Sequence, residues 1–310
     1  MKRVIRTGVI VLLTTLALLW VKNEYARLLP VSAYGMQAAI RKKKIDNLFI
    51  GLSMFRQGLS IDVLEEELPG VSYILSYNGN QPVFMAMELQ YMLEEGLEVE
   101  NLYIDLYPYM AAATPWISDT KILLDTDLDF KMETWKLLSA DGEATPLDFY
   151  EMFVTANNEQ LLTWPVNNRL ISSQFRNGGT LLVSSGQTAE YLDSLELLGS
   201  RDGLNDVQID GYREIMELAD AYGMNLYFLE TPKYVRMYED ADYRELYEAC
   251  VGAVRDLAAQ TETEVKWIFA EDLDFDNTDP SCYQDLIHLS TEGRTVYTRR
   301  LCEAVAANQD

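Results

Sequence analysis

Histidine is almost absent from this chain: His288 is the only one in 310 residues. Besides it there are three cysteines, Cys250, Cys282 and Cys302, none in a CxxC or Cys/His spacing. A zinc site would have to be built mostly from carboxylates, which is uncommon. Three cysteines cannot all pair, so a disulfide framework is excluded as the main source of stability. Positive charge is scarce as well. There are 25 Lys and Arg against 49 Asp and Glu, a formal net charge of −24, which argues against a nucleic-acid partner and repels anionic headgroups. The plainest meaning of such acidity is solubility. No internal repeat and no low-complexity tract is present. With 48% hydrophobic residues the chain can bury a substantial core, as one large domain or two small ones.

The positive charge that exists is gathered at the amino end. Residues 1 to 45 carry nine Lys or Arg against Glu24 alone, a net of +8 ahead of a remainder of −32. Lys2, Arg3 and Arg6 precede an apolar run from Gly8 to Val21 broken only by Thr14 and Thr15. This is the pattern of a signal peptide or a signal anchor. No small-x-small cleavage site follows Val21, and counting back to Val4 nearly supplies the ~20 residues of a bilayer crossing. The expectation is a single-pass anchor with a short cytoplasmic tail and an extracytoplasmic body. Arg41-Lys42-Lys43-Lys44 would then form a basic juxtamembrane linker, able to rest on anionic headgroups or wall polymer. Its position outside the membrane runs against the positive-inside pattern.

Five short apolar runs bounded by turn residues predict buried strands: Asn47 to Leu52, Val71 to Ser76, Asn101 to Leu106, Asn225 to Leu229 and Val265 to Ala270. Helical patterns alternate with them over Ile61 to Leu68, Val83 to Glu95, Val207 to Tyr222, Tyr243 to Gln260 and Thr291 to Ala307. The alternation predicts an α/β fold, a doubly wound parallel sheet with right-handed crossovers. Residues from about 111 to 206 are too many for one crossover. They contain helical patterns at Asp129 to Leu138, Leu147 to Asn157 and Thr188 to Leu198, and the turn signal Asn177-Gly178-Gly179. We read them as an inserted, mostly helical cap within a body spanning 46 to 310, placed where it would help choose a substrate.

Three predicted loops at one sheet edge carry chemistry. Strand one runs through Phe49-Ile50-Gly51-Leu52-Ser53, which puts the Ser53 hydroxyl at the carboxyl edge beside backbone N–H groups able to hold an oxyanion. Strand two ends in Tyr77-Asn78-Gly79-Asn80-Gln81-Pro82, where a glycine lets backbone approach a ligand and the Asn78 and Asn80 amides can donate; an ordinary Asn-Gly turn has the same sequence. The last loop, Asp285-Leu286-Ile287-His288-Leu289, sets a carboxylate three residues before the histidine. Histidine moves protons near neutral pH, and a carboxylate can fix its tautomer. Ser53, Asp285 and His288 are candidate nucleophile, orienter and base. Tyr107, Tyr109 and Trp116, with Tyr103, are candidates for a sugar-binding cleft, although alternation on a buried strand explains Tyr103 equally well. Asp272-x-Asp274-x-Asp276-Asn277 imitates the start of a calcium loop but lacks its glycine and reaches Tyr283 at the twelfth position, so a solvated acidic turn is expected and no metal. Cys282 is expected to be a small buried hydrophobe rather than an activated thiol.

In order along the chain, the Gly51-x-Ser53, Asn78-Gly79 and Asp285-x-x-His288 blocks resemble the SGNH (GDSL-like) hydrolases. The amino-terminal anchor and the loop and terminal sequences are similar to their membrane-anchored envelope branch, which includes the D-alanyl transfer protein of the teichoic acid pathway and the alginate-type O-acetylation proteins. The resemblance covers roughly 47 to 301 without most of the cap. It implies a three-layer α/β/α flavodoxin-like fold, Ser53 as nucleophile, His288 as base and Asp285 as its orienter. It also implies an oxyanion hole from the N–H groups of Ser53 and Gly79, and it requires no cofactor. The implied function is serine acyl-ester hydrolysis or O-acyl transfer to an envelope polysaccharide, with a membrane-bound O-acyltransferase as partner. Two departures stand out: the first block reads Gly-Leu-Ser, and the third, Ile104-Asp105-Leu106-Tyr107-Pro108-Tyr109, has no asparagine. A third oxyanion donor must come from Asn78, Asn80 or Tyr107, or be missing. Loss of one such donor typically costs ~10²- to 10³-fold in rate, which implies weak or specialised activity; the alternative is a non-catalytic assembly or glycan-binding protein on the same fold.

Overall fold

The computed structural model describes residues 2–140, 142, 144–262 and 264–308. Its strands, in chain order, are β1 (Lys44–Gly51), β2 (Ser72–Ser76), β3 (Glu98–Asp105), β4 (Phe175–Arg176), β5 (Gly179–Thr180), β6 (Asn225–Leu229) and β7 (Val265–Ile268). Five of them form one sheet in the order β2-β1-β3-β6-β7, every pair parallel. The runs Leu48-Phe49-Ile50, Tyr73-Ile74-Leu75 and Leu102-Tyr103-Ile104 are fully buried, as strands covered on both faces must be. Aromatic rings cross the sheet at one level, Phe49 stacked on Tyr103 at 4.3 Å and Tyr103 on Tyr227 at 4.6 Å between centroids. The α/β fold expected from the alternation is therefore the fold present. Because β2 and β3 lie on opposite sides of β1, the chain reverses direction there, and the carboxyl ends of β1 and β3 border a natural ligand crevice.

The crossover helices are Ile61–Glu67, Pro82–Glu94, Asp206–Tyr222 and Ala241–Ala258, and the helix Thr291–Ala307 closes the described chain. Asp206–Tyr222 and Pro82–Glu94 pack side by side; Gly211 permits this, since a Cβ there would fall 2.4 Å from the Val83 nitrogen. Between β3 and the Asp206–Tyr222 helix lie short helices, notably Leu128–Leu138, Asn158–Leu162 and Trp164–Gln174, together with the β4–β5 hairpin. Asn177 and Gly178 turn that hairpin with φ of 46° and 76°, the two positive values a tight hairpin turn needs. The hairpin lies against the outer edge of the sheet, where the Ile74 N–H donates to the Asn177 carbonyl at 2.9 Å. Part of the inserted segment thus covers an otherwise open strand edge.

The amino-terminal helix, Lys2–Leu28, has a mean hydropathy of 2.2 over its most apolar stretch and is long enough to cross a membrane; a signal sequence would have the same character. Its last two turns are built into the body. Lys22 Nζ donates to the Val154 and Ala156 carbonyls, Tyr25 Oη to the Leu161 carbonyl, and buried Asn23 accepts from Lys131 Nζ at 2.7 Å.

Candidate active site

β1 ends at Gly51, and Ser53 opens the short helix Ser53–Gly58. Gly51 is needed for this turn: a Cβ there would lie 2.7 Å from both the Asp105 Cβ and the Phe55 ring. The backbone therefore passes tightly between β3 and its own next helix, and the Ser53 side chain emerges at the carboxyl edge. From the far end of the chain the segment 283–289 folds onto the same edge, closed by a bridge between Tyr283 and Leu289. It carries His288 to Ser53, with Oγ and Nε2 2.8 Å apart. The other ring nitrogen, Nδ1, is 2.8 Å from Asp285 Oδ2. Asp285 Oδ1 accepts the backbone N–H groups of Ile287 at 2.9 Å and His288 at 2.8 Å. Burial alone would raise the Asp285 pKa, but the His288 hydrogen bond and charge and these two N–H donors outweigh it and hold the carboxyl below its ordinary value. An ionised Asp285 accepts from Nδ1–H, which leaves Nε2 free to accept the serine proton.

The loop after β2 lies alongside. Gly79 has φ of 59°, and a Cβ there would stand 2.9 Å from the Ser118 Cβ, so both conformation and space favour glycine. Asn78 is exposed; its Oδ1 accepts from Arg56 Nη1 at 3.2 Å, and its N–H points to Asp119 Oδ2 at 3.5 Å. Asn80 is buried, with its amide donated to Glu88 at 3.0 Å and its Oδ1 accepting from the Gln81 N–H. The three aromatics divide. Tyr107 and Tyr109 are buried at 4% and 2% exposure, Tyr109 Oη donating to the Leu198 carbonyl, so neither ring forms an open wall. Trp116 is 51% exposed and stands by the Asn78–Asn80 loop. Tyr103 lies in the core stack.

Three groups went unread in the sequence. Arg56 bridges the Ser53 helix, the Asn78 loop and Asp119. Asp105, at the end of β3, is fully buried under the Ser53 turn, and its Oδ2 faces the Leu52 N–H at 3.5 Å. Behind it, buried Lys233 donates to the Thr231 carbonyl at 2.7 Å and faces Glu230 at 3.4 Å. Arg56 and Lys233 lie in no short motif, Asp105 lies in the third block but was given no role there, and only tertiary structure brings the three together at the site. Elsewhere, Asp274 pairs with Arg300 at 2.9 Å, Asp276 accepts from Thr278, and Asp272 accepts from the Phe269 N–H. The Cys282 thiol is buried and pushed up to about 11 by that burial and by Asp279, the opposite of activation.

No protein-family model matches the chain, and no curated protein matches it in sequence. It is similar in structure to a Streptococcus pneumonia protein provisionally described as a platelet activating factor, at 13% identity and a TM-score of 0.43 over 87% of this chain and 91% of that one. It is similar to a GDSL-like lipase of Bacteroides thetaiotaomicron VPI-5482, at 11% identity and 0.39, over 92% and 95%. A protein of Bacteroides fragilis NCTC 9343, provisionally described as an acylhydrolase, aligns at 10% identity and 0.40, over 93% and 95%. At such distances these likenesses transfer no residue's role to this chain.

Proposed function

We propose that Ser53, His288 and Asp285 act as nucleophile, general base and orienter of a serine acyl-esterase or O-acyltransferase. The observation that carries this is the continuous relay at the sheet edge: Ser53 Oγ 2.8 Å from His288 Nε2, and His288 Nδ1 2.8 Å from Asp285 Oδ2, distances within which a proton can pass. Ser53 Oγ adds to the ester carbonyl as His288 takes its proton. The bond to the leaving alcohol then breaks, and His288 returns the proton to that oxygen. The acyl–Ser53 ester is cleaved by a second hydroxyl, from a sugar or from water, that His288 deprotonates in turn. The N–H groups of Ser53 and Gly79 hold the oxyanion in both halves.

The finer reading is an extracytoplasmic enzyme held by its amino-terminal helix, transferring an acetyl or D-alanyl group to an envelope polysaccharide beside a membrane-bound O-acyltransferase. Retention of the helix is supported by its contacts: removing it would strip buried Lys131 of the Asn23 oxygen and leave the Val154 and Ala156 carbonyls without the Lys22 ammonium. The choice of polymer and partner rests on the resemblance of the sequence blocks.

The test is intact-mass analysis of the full chain in detergent micelles, incubated with a fluorophosphonate and separately with p-nitrophenyl acetate. One adduct on the wild type, absent in Ser53→Ala and slowed in His288→Ala, is the expected result. A folded wild type that takes no adduct from either reagent would sink the catalytic reading in favour of a binding or assembly protein.

A further inference from the structure

β3 ends at Asp105 and runs on into Leu106-Tyr107, with no asparagine there to aim a side-chain amide at an oxyanion. The contacts separate the remaining candidates. Asn80 is buried and its amide is committed to Glu88. The Tyr107 hydroxyl is shut in the interior. Asn78 is exposed, and its oxygen accepts from Arg56 Nη1. A guanidinium can only donate, so this contact fixes the amide: oxygen toward Arg56, NH2 directed away from it. Among the described residues no acceptor takes the Asn78 Nδ2 hydrogens.

Arg56 itself is held firmly. It follows Ser53 by three residues on one short helix, so the nucleophile and the group that orients Asn78 share an element. Its Nη2 donates to Tyr34 Oη at 2.7 Å and to the Ser76 carbonyl, and lies 3.7 Å from Asp119 Oδ2, with the two side chains only 12% and 7% exposed. Asp119 also faces the Asn78 N–H. Asp119 belongs to the inserted segment, so that segment braces the loop from behind.

We propose that Arg56, braced by Asp119, is a positioning residue that presents the Asn78 Nδ2 amide as the third oxyanion donor, in place of the asparagine missing after β3. The proposal rests on the Ser53–His288–Asp285 reading above. Arg56 acts only through Asn78, and loss of either should cost what one preorganised donor is worth, about 10²- to 10³-fold in rate.

A double-mutant cycle tests it, using kcat and KM of the full chain in detergent with p-nitrophenyl acetate. Asn78→Asp keeps the oxygen facing Arg56 and removes the donor. It and Asn78→Ala should each lower kcat by about 10²-fold or more with KM nearly unchanged. Arg56→Met should lose nearly as much, Arg56→Lys should recover part, and Arg56→Met with Asn78→Ala should be no worse than Asn78→Ala alone. Retained kcat in Asn78→Asp, or a double variant whose loss is the product of the two single losses, overturns the proposal. If Arg56→Met does not fold, the cycle with Arg56→Lys is judged on the same non-additivity. A wild type that never acylates Ser53 overturns the underlying reading as well; an active wild type with additive losses overturns this proposal alone.

Discussion

Asp105 and Asp285 sit at the same sheet edge and are pushed in opposite directions. Asp285 is held ionised by His288 and two N–H groups. Asp105 is fully buried, and that burial, only partly offset by Lys233 and the Leu52 N–H, raises its pKa to about 7. Their surroundings thus push two neighbouring carboxyls apart, one toward the anion that the proposed orienting role needs and one toward protonation by its burial. For Asp285, replacement by Asn should favour the wrong imidazole tautomer and lower kcat by up to about 10⁴-fold without unfolding the protein. A pH–rate profile and thermal melt of Asp285→Asn check both halves; a loss of rate that simply follows loss of fold would refute the role. For Asp105 the sign is fixed by linkage. Unfolded, the group titrates near its ordinary value of about 3.9, so between about pH 4 and 7 the native state binds the extra proton and stability falls as pH rises. Asp105→Asn should therefore melt higher than wild type at pH 8, with the gap shrinking toward pH 4. A gap of equal size at both ends would show that this carboxyl does not titrate in that window.

Among the elements, the amino-terminal helix has two characters. From Val4 to Val21 nearly all its large side chains are exposed, Leu19 being buried, whereas Asn23 is buried and Lys22 and Tyr25 reach carbonyls of the inserted segment. Asn23→Ala should cost about 1 to 3 kcal/mol in denaturant unfolding, because it leaves the buried Lys131 ammonium one acceptor short. Protein recovered from membranes should have the mass of the uncleaved chain, and a mass lacking the first two dozen residues would rule out anchoring. The central elements were legible for a plain reason: fully buried strands and amphipathic crossover helices impose apolar runs and spacing on the sequence. Several short helices gave no such signal, and two of them bear on the site and the inserted segment. Ser53–Gly58 is too short to show a period. Trp164–Gln174 is rich in Asn and Ser and buries only Trp164, so its apolar positions do not mark a face. The site divides in the same way. Its three short blocks could be read because each is local, but Arg56, Asp119 and Asp105 meet only through the fold. Tyr107 and Tyr109 looked like cleft residues because a strand end and a cleft both favour aromatics, and packing against Lys233, Tyr243 and the inserted segment took them inside.

At the scale of the molecule, charge sets what the crevice can meet. A net charge of −32 follows the first 45 residues, which carry +8. An acidic polymer approaching the crevice is repelled by the body as a whole, and repulsion between exposed charges is screened beyond a Debye length of about 8 Å at physiological salt. A neutral ester feels none of this. If the acceptor is a polyanionic envelope polymer, kcat/KM for the polymer should rise as salt increases from low to physiological concentration, while the rate with p-nitrophenyl acetate stays flat. The comparison separates electrostatics from chemistry because both substrates would meet the same proposed nucleophile. A fall with salt for the polymer alone would mean that a local basic surface captures it despite the acidic body. Equal changes for both substrates would place the effect on the protein's own structure instead of on encounter.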